Sequence, residues 1–168
     1  MVTMQEGVTA QWSQVENVYQ RRSDLIPNLV NTVKGYADFE KETLTQVIEA
    51  RAKATSVNIN PDKLDAQSLQ NFQNAQSGLS SALSKLMVVV EKYPDLKANQ
   101  NFLDLQAQLE GTENRITVER QKFNQSAQAY NTFIRQFPKN IFAGMFGFEK
   151  KAYFEAEKGA EKAPEVKF

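Results

Sequence analysis

Chemistry in this chain has to come from arginine, carboxylates and amides. The 168 residues include no histidine and no cysteine. That removes the commonest general base, the thiolate nucleophile and the usual zinc ligands. Dimetal carboxylate bundles need Glu-x-x-His pairs, and neither Glu40/Glu42 nor Glu110/Glu113/Glu119 supplies one. Ser23–Asp24 and Ser80–Ser81 have no base for acyl transfer. Gly144-Met-Phe-Gly147 follows no strand and lacks the Lys-Ser/Thr pair of a phosphate loop. Arg21–Arg22 is too short for a basic patch, and Lys+Arg balances Asp+Glu at 20 each, so nothing attracts nucleic acid. The expectation is a protein that is not an enzyme, with no catalytic residue, metal or cofactor.

The polar residues of interest are those that interrupt apolar stripes, and the stripes define the elements. Between Pro94 and Pro138, Phe102, Leu109, Ile116, Phe123, Tyr130 and Phe137 recur every seven residues. Leu105, Thr112, Glu119, Ser126 and Phe133 fill the second seam position. This register predicts one coiled-coil-like helix over 95–137, about 60 Å long at ~1.5 Å per residue. Too apolar to stand alone, it must be covered by other helices. The first of these is 5–35, with Val8, Trp12, Val15, Tyr19, Arg22, Ile26, Leu29 and Val33 on one face and a kink near Pro27. The second is 38–56, capped by Asp38, with Leu44, Val47, Ile48 and Arg51 inward. The third is 61–92, opened by Pro61 and striped by Leu69, Phe72, Gln76, Leu79, Leu83, Leu86 and Val90. Short connections make the neighbours antiparallel. The predicted fold is all-α, an antiparallel up-and-down four-helix bundle with unequal helices. It forms one domain over 1–156, with an aromatic loop at 138–154 and a charged flexible tail at 157–168.

At ~1.5 Å per residue, Arg22, Gln76 and Glu119 reach nearly the same height in such a bundle. A buried polar layer of Arg22, Gln76, Glu113 and Glu119 is therefore expected, with Arg22 paired to Glu119 or Glu113. Such a layer can fix helix register, as buried polar groups do in coiled coils. The alternative is a site for a small ligand or ion. In the loop after Pro138, Phe142, Phe146 and Phe148 would cap the open end of the bundle. Otherwise they face a partner or a membrane interface.

Three stretches resemble the LemA family: AQWSQVENVYQRRSDLIPNLVNTVKGYADFEKETL (10–44), YPDLKANQNFLDLQAQLEGTENRI (93–116) and FNQSAQAYNTFIRQFPKNIFAGMFGFEKKAYFEA (123–156). The likeness is weakest across about 57–77. Trp12, Arg21–Arg22, Asp24, Pro27–Asn28 and Gly35 match the family signature, as do Tyr93–Pro94, Glu113–Asn114–Arg115 and Phe146–Gly147–Phe148. The resemblance implies a bacterial helical bundle behind a single N-terminal transmembrane helix. The natural protein is thus expected to be longer at its N-terminus and its domain to lie on the cytoplasmic side. No run of 18 apolar residues occurs in the chain itself. The family has no catalytic residues to carry over. The leading reading is a membrane-anchored scaffold or protein-interaction domain with unknown protein partners. The alternatives are a ligand- or ion-sensing bundle centred on Arg22 and, more remotely, a carboxylate-based enzyme.

Overall fold

The structure, a computed structural model, describes residues 1–36 and 40–154; among these the chain is helical and contains no strand. Six helices follow one another: α1 (Val2–Lys34), α2 (Lys41–Ser56), α3 (Ala66–Val90), α4 (Pro94–Lys97), α5 (Gln100–Arg135) and α6 (Lys139–Met145). α1 packs along α5, and α2 packs along α3. Contacts of Gln11 with Glu119, Arg22 with Glu113 and Tyr36 with Asp95 run in opposite senses along the sequence. α1 and α5 are therefore antiparallel. The expected cap at Asp38 and the tail at 157–168 lie outside the described residues.

Local chemistry moves several boundaries. The third helix starts at Ala66, not Pro61, because Asp65 caps it: its carboxylate accepts from Ser68 N at 2.7 Å. That hydrogen bond also holds the Asp65 carboxyl below its usual range. The helix expected over 95–137 is two. Asn99 is extended and its side chain accepts from Phe102 N, which opens α5 and closes off α4. α5 then ends at Arg135, and Phe137 lies beyond it, 79% exposed. Its buried stripe departs from the heptad after Phe123: Ala127, Tyr130, Asn131 and Ile134 are inside, while Ser126 and Phe133 are half-buried. An α-helix drifts about 20° per heptad from a strict seven-residue repeat. The stripe follows the 3.6-residue period instead. In α2, Ile48 is 45% exposed and Ala54 takes the inward position.

The core has two apolar compartments. One is mainly aliphatic: Ile26, Leu29 and Val33 of α1 meet Leu44 and Val47 of α2, Leu79, Leu83 and Leu86 of α3, and Phe102, Leu105 and Leu109 of α5. The other is aromatic, with Trp12, Tyr19, Phe72, Phe123, Tyr130 and Phe154. Between them on α1 lie Arg22 and Ser23, both buried.

Pro27 sits inside α1, which continues through it. Proline has no N–H, so the carbonyl four residues back, that of Ser23, loses its helical partner. Ser23 is 2% exposed, and water cannot substitute. Arg51 of α2 does: its Nε donates to Ser23 O at 2.9 Å. The proline and the arginine form one device that fixes α2 to α1. Arg51→Met is expected to cost about 1–2 kcal/mol, the penalty for a buried carbonyl left unpaired. In a Pro27→Ala background, where residue 27 again donates to Ser23, most of that cost should vanish. Urea unfolding of the four variants measures the coupling.

Candidate functional site

Arg22 projects from α1 into the space between the compartments and is 1% exposed. Its Nη1 donates to Ser80 Oγ (2.6 Å) and Glu113 Oε1 (2.9 Å), and its Nη2 to Gln76 O (2.9 Å) and Gln76 Oε1 (2.7 Å). Only Nε lacks a partner. The guanidinium also lies 5.3 Å from the centroid of the Tyr19 ring. Burial pushes the Tyr19 phenol up, and the Arg120 and Arg22 charges only partly oppose it. The phenol is thus neutral at physiological pH.

Three of the four expected layer residues come together: Arg22, Gln76 and Glu113. Glu119 does not join them. It lies more than a turn further along α5, accepts from Gln11 Nε2 at 2.6 Å and sits 3.9 Å from Lys122. Ser80, one turn beyond Gln76 on α3, takes the fourth place. With Arg51 and Ser23, the layer joins all four long helices at one level. A small cleft reaches Ser23 and Gln76 from one side, and the wider opening is at Glu113. The Glu113 side chain is 44% exposed, and beside it a groove of about 650 Å³ runs between α3 and α5, lined by Ser80, Leu83, Met87, Leu109, Glu110 and Glu113 among others.

The segment after Pro138 behaves differently from a capping loop. Phe142 and Phe146 are 49% and 69% exposed, and Phe148 is half-buried against the aromatic compartment. The residue that closes this compartment is Phe154. Its ring lies 5.9 Å from Trp12, stacked, and 5.5 Å from Phe123, edge-on, with the Arg120 guanidinium 4.8 Å from its centroid. Residues 149–154 form an extended strap held by two asparagines of α5. Asn131 Oδ1 accepts from Lys151 N and its Nδ2 donates to Lys151 O, both at 2.8 Å. Asn124 makes the same pair of bonds with Phe154, at 2.8 and 3.1 Å. Ala152 N donates to Leu64 O on the other side. The sequence carries a trace of this arrangement: Asn124 and Asn131 are seven apart, each just after a core aromatic of α5.

Among the described residues, no group of three or more acidic side chains is placed to hold a metal. No helix there is long and apolar enough to cross a membrane. The sequence pattern of the LemA family matches residues 11–168. The chain belongs to the LemA family. It is 29% identical to the magnetosome protein MamQ of Magnetospirillum gryphiswaldense, over 97% of this chain and 66% of that protein. To protein LemA of Metamycoplasma hominis it is 27% identical, over 86% of this chain and 62% of the relative. The chain thus spans just under two thirds of the length of these relatives. Family membership agrees with the helical fold and assigns no reaction to the arginine layer.

Three variants probe this geometry. Glu113→Ala takes away the carboxylate bonded to the buried Arg22 and should cost about 1–2 kcal/mol, tempered by the solvent access of Glu113. Arg22→Met with Gln76→Leu removes charge and acceptor together and should lie within about 1 kcal/mol of the parent. Phe154→Ala, which leaves a void in the aromatic compartment, should cost about 3–5 kcal/mol. Chemical denaturation followed by circular dichroism measures all three.

Proposed function

We propose that this chain is a non-enzymatic scaffold or protein-interaction domain that works at a bacterial membrane. The observation that carries the reading is a contrast. The buried polar groups of the Arg22 layer are largely satisfied from within the chain, whereas Phe137, Ile141, Phe142, Met145 and Phe146 are exposed. A filled core beneath an apolar surface suits a protein that binds macromolecules better than one that encloses a substrate. In this reading α1, α2, α3 and α5 form an antiparallel up-and-down four-helix bundle, a stiff body suited to holding a partner at a set distance. Membership of the LemA family supports the membrane setting, as does likeness to a protein named for the magnetosome. We take the tether to be an N-terminal helix and the domain to face the cytoplasm.

A second reading, a ligand-sensing bundle, is favoured by the groove that meets two of the Arg22 partners, Ser80 and Glu113. A small anion there would compete with Glu113 for the guanidinium. The two readings separate in one experiment on the full-length protein in its native membrane. A photoreactive residue at 137 or 141, both exposed, should give discrete crosslinked protein species, and one at the exposed Val88 should not. No discrete species from either position, together with a melting temperature raised by small carboxylates or phosphate, would overturn the scaffold reading in favour of the sensor.

A further inference from the structure

α6 has seven residues and one buried side chain, Ala143, which seats it against α5. It is closed by Gly147 at φ +72°, with Phe148 N donating back to Ala143 O at 2.9 Å, a Schellman ending. The apolar side chains of this turn are thereby fixed outward: Ile141, Phe142, Met145 and Phe146 are between 49% and 71% exposed. Phe137 stands beside them. The other large exposed hydrophobics among the described residues, such as Val2, Ile48, Val88, Leu103 and Val118, sit apart on separate helices or turns. Only here do they gather.

Along the sequence the charge near this ridge is one-sided, although Lys150 also lines a cleft with Asp65, the cap of α3. The chain is neutral as a whole, yet from Arg120 to Phe154 it carries six cations and one carboxylate, Glu149. α6 itself has no acid. Lys139 opens the helix, with its ammonium 3.9 Å from the centroid of the Phe133 ring, and Arg135 and Lys150 flank it in sequence. Aromatic and thioether side chains on a short rigid turn, flanked in sequence by cations, match the two layers of a lipid interface. The rings and the methionine enter the acyl boundary. The cations meet headgroup phosphates, and each contributes about a fivefold gain in affinity for an anionic surface.

We propose that α6 and its flanks form a lipid-contact wedge, in which Phe142, Met145 and Phe146 insert into the interface of an anionic bilayer and Lys139 and Lys150 hold its phosphates. The inference deepens the membrane part of the function proposed above. It assigns a second contact, independent of any tether, that sets which face of the domain lies against the lipid.

The test is co-sedimentation of the 168-residue chain with vesicles of phosphatidylglycerol and phosphatidylcholine in equal parts, and of phosphatidylcholine alone. The unaltered chain should partition onto the mixed vesicles and much less onto the neutral ones. Phe142→Ser with Phe146→Ser should lower partitioning by at least about tenfold. Lys139→Gln with Lys150→Gln should lower it on mixed vesicles alone. All four positions lie outside the core, so far-UV dichroism and melting temperature should stay unchanged. Equal binding of the parent and the serine variant would overturn the wedge, as would no binding by the parent. Concentration-dependent self-association of the parent without lipid, abolished by the serines, would reassign the ridge to a protein contact and overturn it equally. Loss of the wedge would leave the crosslinking of the full-length protein untouched, so the two failures are told apart.

Discussion

A guanidinium taken out of water in the middle of a helical core must be given acceptors by the helices around it. Arg22 has them from α3 and α5, and the next residue, Ser23, brings in α2 through Arg51. Desolvating such a charge costs several kcal/mol, and neighbouring dipoles and carboxylates recover it only when their geometry is good. The four bonds to Arg22 therefore constrain the relative heights of α1, α3 and α5. Sliding α5 by one turn, about 5.4 Å, would withdraw Glu113 and break its 2.9 Å bond to the guanidinium. Apolar packing alone imposes no comparable penalty, because Leu and Val stripes fit one another in several registers. The two compartments on either side depend on this layer for their alignment.

The same logic governs the C-terminal strap. An extended segment crossing helices carries backbone groups that no helix can satisfy. Here the amide side chains of Asn124 and Asn131 imitate the edge of a sheet, each bonding both backbone atoms of one strap residue. They recognise the backbone, not the side chain, at residues 151 and 154. Specificity comes from the ring of Phe154, which fits among Trp12, Phe72 and Phe123. Polar satisfaction and aromatic packing thus meet in one short stretch.

Much of this was legible in the sequence. The stripes of α1 and α3 read directly, since seven expected α3 positions, Gln76 among them, are buried. Arg22 declares itself by interrupting an otherwise apolar face, and helical rise brings Gln76 to its level; the same count favours Glu119, whereas the bonded carboxylate is the alternative, Glu113. Beyond Phe123 the sequence misleads: five repeats of a strict heptad suggest a supercoil, while the helix keeps its own period. The cap at Asn99 leaves no mark on the apolar stripe, because it depends on the extended backbone at that residue. The partnership of Arg51 with Ser23 needs the loss of an N–H at Pro27 to be followed across to another helix. Phe154 was hidden because the strap has neither the two-residue nor the 3.6-residue period that marks a regular element.

The aromatic compartment holds the chain's single tryptophan. Trp12 is fully buried, lies edge-on to Phe72 and Phe123 and stacks on Phe154. An indole in so dry a place emits in the blue, and its colour depends on the ring of the strap staying seated. Release of residues 149–154 would admit water to that face and shift the emission to the red. The fold thus carries an intrinsic optical gauge, readable without any label, of whether its own C-terminal strap is closed.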